Sequence, residues 1–281
     1  MMTIQESDFS QLKAAGYRFP EPFVVKAADG VTDLYGVMWK PMDFDSTKRY
    51  PVIAYVYPGP WTEYIPLDFE FSSPSGAPQL AQLGFVVVCF GNRGGSPYRG
   101  RDYHCYGYGN LRDYPLADNK YGLEQLIARY SFIDGTKVGI FGHSGGGSMS
   151  VAAICTYPDF YKAAVASSGN YDNTIFDYGW SEIHHGIKEV TKEGKVSFEF
   201  SIPLHLELAK NLKGHLMLVT GDADDTVNPA NTSRMVHSLI LAGKDFELVV
   251  LPGQRHGYMG LAKEYYFRKM WRHFERYLLD E

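Results

Sequence analysis

Ser144 stands in the run Gly142-His143-Ser144-Gly145-Gly146. Val138, Ile140 and Phe141 precede it as a short β-rich apolar run, and Met149, Ala152, Ala153 and Ile154 follow at helical spacing. Strand, tight turn and helix are the context that a Gly-x-Ser-x-Gly nucleophile elbow requires. The serine must take a strained backbone conformation at the top of the turn. Glycines two before and two after it leave room where a Cβ would collide with the neighbouring strand or helix. The new helix also directs its first N–H groups and its dipole at the serine, where negative charge would develop.

A serine hydroxyl is a poor nucleophile near neutral pH, so it needs a base within hydrogen-bond reach, and the base needs a carboxylate on its far nitrogen. In parallel sheets ligands bind beyond the carboxyl ends of strands, so the partners should follow strands. Two stretches qualify. Gly221-Asp222-Ala223-Asp224-Asp225-Thr226-Val227 follows the apolar run 214–220, and Pro252-Gly253-Gln254-Arg255-His256-Gly257 follows the run 245–251. Serine, acid, histidine is the chain order of an α/β-hydrolase triad. Spacing alone does not choose among Asp222, Asp224 and Asp225, although Asp224 and Asp225, being adjacent, cannot both serve. Among nine histidines, His256 is the best placed. His184 and His185 lie in an irregular stretch, and His237 and His273 fall on helices. His143 adjoins the serine but is expected to point away from it. The Gly145 N–H is the first oxyanion donor. Tyr57, at the end of an early strand, is either a side-chain donor replacing the backbone donor of lipase-type loops or merely a strand-end aromatic.

The elements that must position these groups read as follows. Strands are expected at 23–27 and 32–40, joined by the turn Ala28-Asp29-Gly30, then at 50–57, 84–90, 162–168, 214–220 and 245–251. Runs such as 50–57 (YPVIAYVY) are apolar throughout, as strands covered on both faces are. Helices are expected at 76–83, at 116–130 with Leu123, Leu126, Ile127 and Tyr130 on one face, after the elbow, at 203–212, from Asn228-Pro229 to near Gly243, and in a closing helix carrying Tyr266, Met270, Phe274, Tyr277 and Leu278. The stretch 91–114, rich in glycine, arginine and tyrosine, reads as a long functional or partner-contacting loop. The stretch 169–200 has no clean period and reads as an insertion of helices or loops above the sheet. Strands alternating with helices imply an α/β fold, with a mostly parallel central sheet and helices on both faces, in one domain spanning 1–281.

The chain has 281 residues, 45% hydrophobic and 15% aromatic, with a formal net charge of -5 and no block of like charges. That argues against a nucleic-acid partner or an anionic membrane surface. The longest apolar runs are far too short to span a bilayer, so no membrane insertion is expected. No signal peptide is legible at the N-terminus. The expected location is cytoplasmic if the chain is complete, and periplasmic or secreted if it is cut from a larger precursor. Cys89 and Cys155 read as core thiols and Cys105 as a loop residue, an odd count that argues against a disulfide framework. No GxGxxG, GxxxxGK[ST] or HExxH motif suggests other chemistry, and no cofactor or metal is expected.

Five ordered motifs together resemble the catalytic domain of the prolyl oligopeptidase family of serine peptidases, closest to its dipeptidyl peptidase IV-like branch. They are Tyr57-Pro58-Gly59-Pro60, Asn92-Arg93-Gly94-Gly95, Gly142-His143-Ser144-Gly145-Gly146, Ala223-Asp224-Asp225-Thr226-Val227 and His256-Gly257. The likeness runs from about Pro51 to the C-terminus. It implies an α/β-hydrolase fold with Ser144 as nucleophile, Asp224 as acid, His256 as base and Tyr57 as a side-chain oxyanion donor. It also implies that Asn170, Tyr171, Tyr178, Trp180 and Val227 build a small apolar pocket for proline or alanine, although 169–180 departs from the family pattern in several places. Family members carry a β-propeller that caps the site, and nothing before Phe23 resembles one. The chain is therefore expected to be either a catalytic domain separated from its parent or a free-standing relative, and release of dipeptides does not carry over.

Three functions are consistent with these residues. The first is a serine peptidase that cleaves after proline or another small residue through an acyl-enzyme. The second is a carboxylesterase or acylaminoacyl hydrolase with an open site. The third is a catalytically weak association domain, in which the aromatic loops meet a second copy or the missing propeller of a longer parent chain.

Overall fold

Continuous apolar runs become the inner strands of one eight-stranded sheet, and their two faces seed two separate cores. The computed structural model describes residues 8–61, 63, 65 and 76–279. In chain order the elements are α1 (Ser10–Ala14), β1 (Glu21–Lys26), β2 (Asp33–Trp39), β3 (Tyr50–Tyr55), α2 (Ala77–Ala81), β4 (Val86–Phe90), α3 (Arg101–His104), α4 (Asp113–Arg129), β5 (Ile133–His143), α5 (Gly145–Thr156), β6 (Tyr161–Ser167), α6 (Tyr178–His185), β7 (Lys188–Lys192), β8 (Lys195–Glu199), α7 (His205–Leu208), β9 (His215–Gly221), α8 (Ala230–Leu241), β10 (Glu247–Leu251) and α9 (Gly260–Phe274).

The sheet order is β1-β2-β4-β3-β5-β6-β9-β10. The hairpin β1–β2 joins antiparallel at one end, and every pairing from β4 to β10 is parallel. Parallel strands need crossovers that return over a face, which puts helices on both sides and removes water from both. β4 illustrates the outcome. Val86, Val88 and Phe90 enter the core shared with Leu116, Leu123 and Met149 of α4 and α5, while Val87 and Cys89 enter the core shared with Leu80, Met270 and Phe274 of α2 and α9. This is the α/β-hydrolase arrangement that the alternation of strands and helices predicts.

Two stretches differ from expectation. The insertion 169–200 holds α6 and an antiparallel hairpin, β7–β8, rather than helices or loops alone. The hairpin turns at Glu193 (φ 51°) and Gly194 (φ 73°), the doubly left-handed pair that suits the twist of two-residue hairpins. Its residues are nearly all exposed, so no buried alternation marks it. The stretch 91–114 is not irregular throughout. It holds single helical turns at Pro97–Arg99 and Cys105–Gly107 on either side of α3.

Candidate active site

The tight turn at Ser144, the candidate nucleophile elbow, forms because glycine is required at three positions. A Cβ on Gly142 would stand 2.5 Å from the Gly146 carbonyl carbon, one on Gly146 2.2 Å from the Val56 oxygen, and one on Gly147 2.5 Å from the Ser167 oxygen. β5, α5 and the end of β3 thus approach closer than any side chain permits. Between them Ser144 takes φ 58° and ψ -122°, outside the regions L-residues favour, while its N–H is held by the Ser167 carbonyl at 2.8 Å. The Gly145 N–H lies in the first turn of α5, where backbone donors have no intrahelical acceptor.

The turn after β3 is held over this elbow by the Asn92-Arg93-Gly94-Gly95 stretch. Asn92 donates to the Pro58 carbonyl at 3.0 Å, and a Cβ on Gly59 would stand 2.7 Å from the Gly95 Cα. Arg93 in turn is fixed by the fully buried Asp118 of α4, with Nη2 2.7 Å from the carboxylate. That carboxylate also accepts from the backbone N–H of Ala28 and Arg93. The result brings the Tyr57 ring against the elbow: a Cβ on Gly145 or Gly146 would meet it at 3.6 Å.

Asp224 and His256, the candidate acid and base, follow β9 and β10, neighbours in the sheet. His256 Nδ1 lies 2.9 Å from Asp224 Oδ2 and 3.1 Å from Oδ1. The Asp224 side chain is 0% exposed and that of His256 23%. Burial works to raise the Asp224 pKa, but the hydrogen bonds from His256 and from the Val227 and Thr226 N–H groups prevail and hold the carboxyl below its ordinary value. Asp225 points elsewhere, into a surface pair with Arg255 at 3.1 Å, and Asp222 accepts from the Gly253 N–H. Of the three aspartates, only Asp224 meets the histidine. Among the described residues the Ser144 hydroxyl makes no hydrogen bond, which does not rule out a nucleophile, since such bonds often tighten only with substrate bound.

His143 differs from expectation. Rather than pointing away, its ring centre lies 4.7 Å from that of His256, and its Nδ1 is 2.8 Å from Ser167 Oγ. Sequence reasoning missed it because the neighbour of an elbow residue is judged by position along the strand, whereas the contact is made by the loop after β10.

The residues expected to form a substrate pocket separate into two groups. Asn170 and Trp180 line a small cavity beside Gly145, together with Pro58, Met149, Arg112 and His185. Tyr171 instead sits fully buried in the core, and its N–H is held by Asn231 at 3.1 Å. Tyr178 is half exposed and packs on Phe198 of the hairpin, and Val227 is buried behind Asp224. Of the five residues expected to form a small apolar pocket, Asn170 and Trp180 meet at this cavity. Arg112 and His185 belong to the wall, and a polar residue in a stretch read as loop gave no sign of it. Among the described residues no group of three His, Cys, Asp or Glu side chains is arranged to hold a metal ion.

The model of the prolyl oligopeptidase family matches residues 71–281. The chain is 32% identical over 240 residues to human dipeptidyl peptidase 8, a match covering 85% of this chain and 26% of that protein. It is 27% identical to the bovine prolyl endopeptidase FAP, over 86% of this chain and 31% of that protein. The chain thus spans about a quarter to a third of the length of these relatives. A solved structure of a candidate dipeptidyl aminopeptidase IV from Bacteroides ovatus superimposes with a TM-score of 0.84 at 28% identity, over 97% of this chain and 37% of that one. Dipeptidyl peptidase 4 from Porphyromonas gingivalis shares the fold, with a TM-score of 0.81 at 24% identity, over 97% of this chain and 38% of that one. With a family model over most of the chain and these relatives beside it, the chain belongs to the prolyl oligopeptidase family of serine peptidases, in its dipeptidyl peptidase IV-like branch.

Proposed function

We propose that this chain hydrolyses peptide bonds after proline or another small residue through an acyl-enzyme on Ser144. The observation that carries the reading is the 2.9 Å contact between His256 Nδ1 and a fully buried Asp224 carboxylate, with the His256 ring 4.7 Å from that of His143, the residue before the strained serine. A carboxylate there fixes the tautomer that leaves Nε2 free to accept a proton, and it stabilises the imidazolium that results. His256 takes the Ser144 proton as Oγ attacks the carbonyl carbon, then returns it to the leaving amine. The Gly145 N–H and the Tyr57 hydroxyl would hold the oxygen that becomes negative. Water repeats the sequence on the ester, with His256 again as base.

Intact-mass spectrometry after adding a fluorophosphonate tests this directly. The expected result is one adduct on the wild type and none on Ser144→Ala. A well-folded wild type that forms no adduct would sink the reading.

A further inference from the structure

The stretch 91–114 is long for a connection inside one domain. Its residues grip the turn that follows β3, on which Tyr57 stands, in two places. Pro58 and Pro60 of that turn have no N–H to offer, so it depends on partners elsewhere.

The first grip starts in α4. Asp118 is 0% exposed, and its carboxylate accepts from the Ala28 N–H at 2.9 Å, the Arg93 N–H at 3.0 Å and Arg93 Nη2 at 2.7 Å. Arg93 Nη1, on the other side of the guanidinium, donates to the Tyr106 hydroxyl at 2.7 Å and to the Asp29 carboxylate at 3.2 Å. A planar fork held on both sides fixes the backbone at Asn92 and Arg93 against α4 and the turn between β1 and β2. Asn92 passes that position on, since its side chain donates to the Pro58 carbonyl at 3.0 Å. Replacing a buried ion pair by apolar residues is often neutral or better for stability, so stability alone does not call for this one.

The second grip is the Tyr103 hydroxyl of α3. It donates to the carboxylate of Glu63, further along the turn that carries Tyr57, and it lies 2.8 Å from the Asn92 carbonyl. The Arg99 guanidinium lies over the Tyr103 ring, 4.1 Å from its centre, and the Gly94 N–H donates to the Tyr103 carbonyl at 2.8 Å. One hydroxyl thus joins the Asn92–Gly95 segment to the turn after β3.

We propose that Tyr103 and Asp118 are positioning residues for the reaction, which act by holding the Tyr57 hydroxyl where the oxyanion develops. Each reaches the chemistry only through the turn after β3. The proposal rests on the reading of Ser144 as nucleophile and Tyr57 as oxyanion donor, and it assigns the stretch 91–114 its part in that reading.

The test is a double-mutant cycle in steady-state kinetics on an activated ester. Competent enzyme is counted by the fluorophosphonate adduct on Ser144, so misfolded protein does not enter kcat. Tyr103→Phe removes one hydroxyl and keeps the ring. It should lower kcat roughly tenfold and leave KM within about twofold. Placed on a Tyr57→Phe background, the same substitution should cost less than about twofold, because no hydroxyl remains to be aimed. Asp118→Asn, the second variant should Tyr103→Phe fail to fold, should show the same dependence on Tyr57. Equal fold-losses in the two backgrounds, an unchanged kcat, or a loss carried by KM would each overturn the proposal. So would Tyr57→Phe at full rate in a protein that the fluorophosphonate labels, an outcome that leaves the serine reading standing. Absence of any adduct overturns the serine reading, and the proposal with it.

Discussion

The rings of His143 and His256 lie 4.7 Å apart, centre to centre, tilted by 50°. The residue before the elbow serine is thereby wedged under the candidate base. Burial, then the nearby His256, push the His143 pKa down to about 4, so His143 is uncharged near neutral pH. If His256 acts as the base, a charge formed on it would meet no second cation on His143. Its Nδ1 contact with Ser167 Oγ at 2.8 Å keeps the ring from rotating.

His143→Phe retains the ring contact and removes the bond to Ser167. A base that is no longer held in register should lower kcat roughly ten- to a hundredfold. KM should stay within about twofold, because nothing in substrate contact changes. A variant whose kcat is intact, or whose KM rises in step with the loss of kcat/KM, would leave His143 as packing only.

The two adjacent aspartates make an internal control. Asp224 is fully buried against His256, while Asp225 pairs with Arg255 on the surface. Asp224→Asn keeps the volume but presents an amide that favours the wrong tautomer. It should lower kcat by about 10⁴. Asp225→Asn removes only an exposed ion pair, worth roughly 0–1 kcal/mol, and turnover should not change. Comparable losses in both variants would mean that the loop after β9 acts as a whole and that Asp224 has no separate role.

Much of this arrangement was legible from residue order. Continuous apolar runs gave the inner strands, because a strand covered on both faces cannot carry polar residues. The glycines around Ser144 gave the elbow, because the approach of Val56 and Gly146 admits no other residue. The choice of Asp224 was not legible from spacing, since adjacent residues differ only in which face of the loop they occupy. The hairpin β7–β8 was missed for a related reason. Its Glu193-Gly194 turn is a hairpin signal, with Val190, Val196 and Phe198 alternating around it, but a ribbon open to water on both sides lacks the burial that makes alternation compelling. Where the expected pocket residues would point was not legible either. Tyr171 and Tyr178 lie near Asn170 and Trp180 in sequence, yet one turns into the core and the other out to the hairpin.

Tyr57 stands two residues past the end of β3, and its ring lies against the elbow glycines. If its hydroxyl holds the developing oxyanion, Tyr57→Phe removes a donor used in the transition state and little used before it. The expected loss is about 10²–10³ in kcat, with KM nearly unchanged. Steady-state kinetics on an activated ester decides it. An unchanged rate would return Tyr57 to the role of a strand-end aromatic.

Acid should weaken this fold well before its carboxylates protonate. Six imidazoles are shifted down, in each case chiefly by burial: His143 to about 4, His185 to about 3, His205 well below its ordinary value, and His184, His215 and His273 in the same direction. In the unfolded chain each titrates near 6.5. Between those limits the unfolded state binds more protons than the folded state, so stability rises with pH and falls as pH is lowered. The loss begins near pH 6.5 and continues to about pH 4, where His143 starts to charge in the folded state and its share levels off. Each such histidine contributes a slope of up to about 1.4 kcal/mol per pH unit. The depressed carboxyl of Asp29, at about 2 through opposed burial and hydrogen bonds from Thr32 and Val31, acts only below its unfolded value near 3.8 and lies outside this window. Urea unfolding at pH 7, 6 and 5 should therefore show a steepening loss of stability, with net proton uptake on unfolding. A free energy that is flat from pH 7 to 5 would mean that water reaches these histidines and that their burial is not maintained in solution.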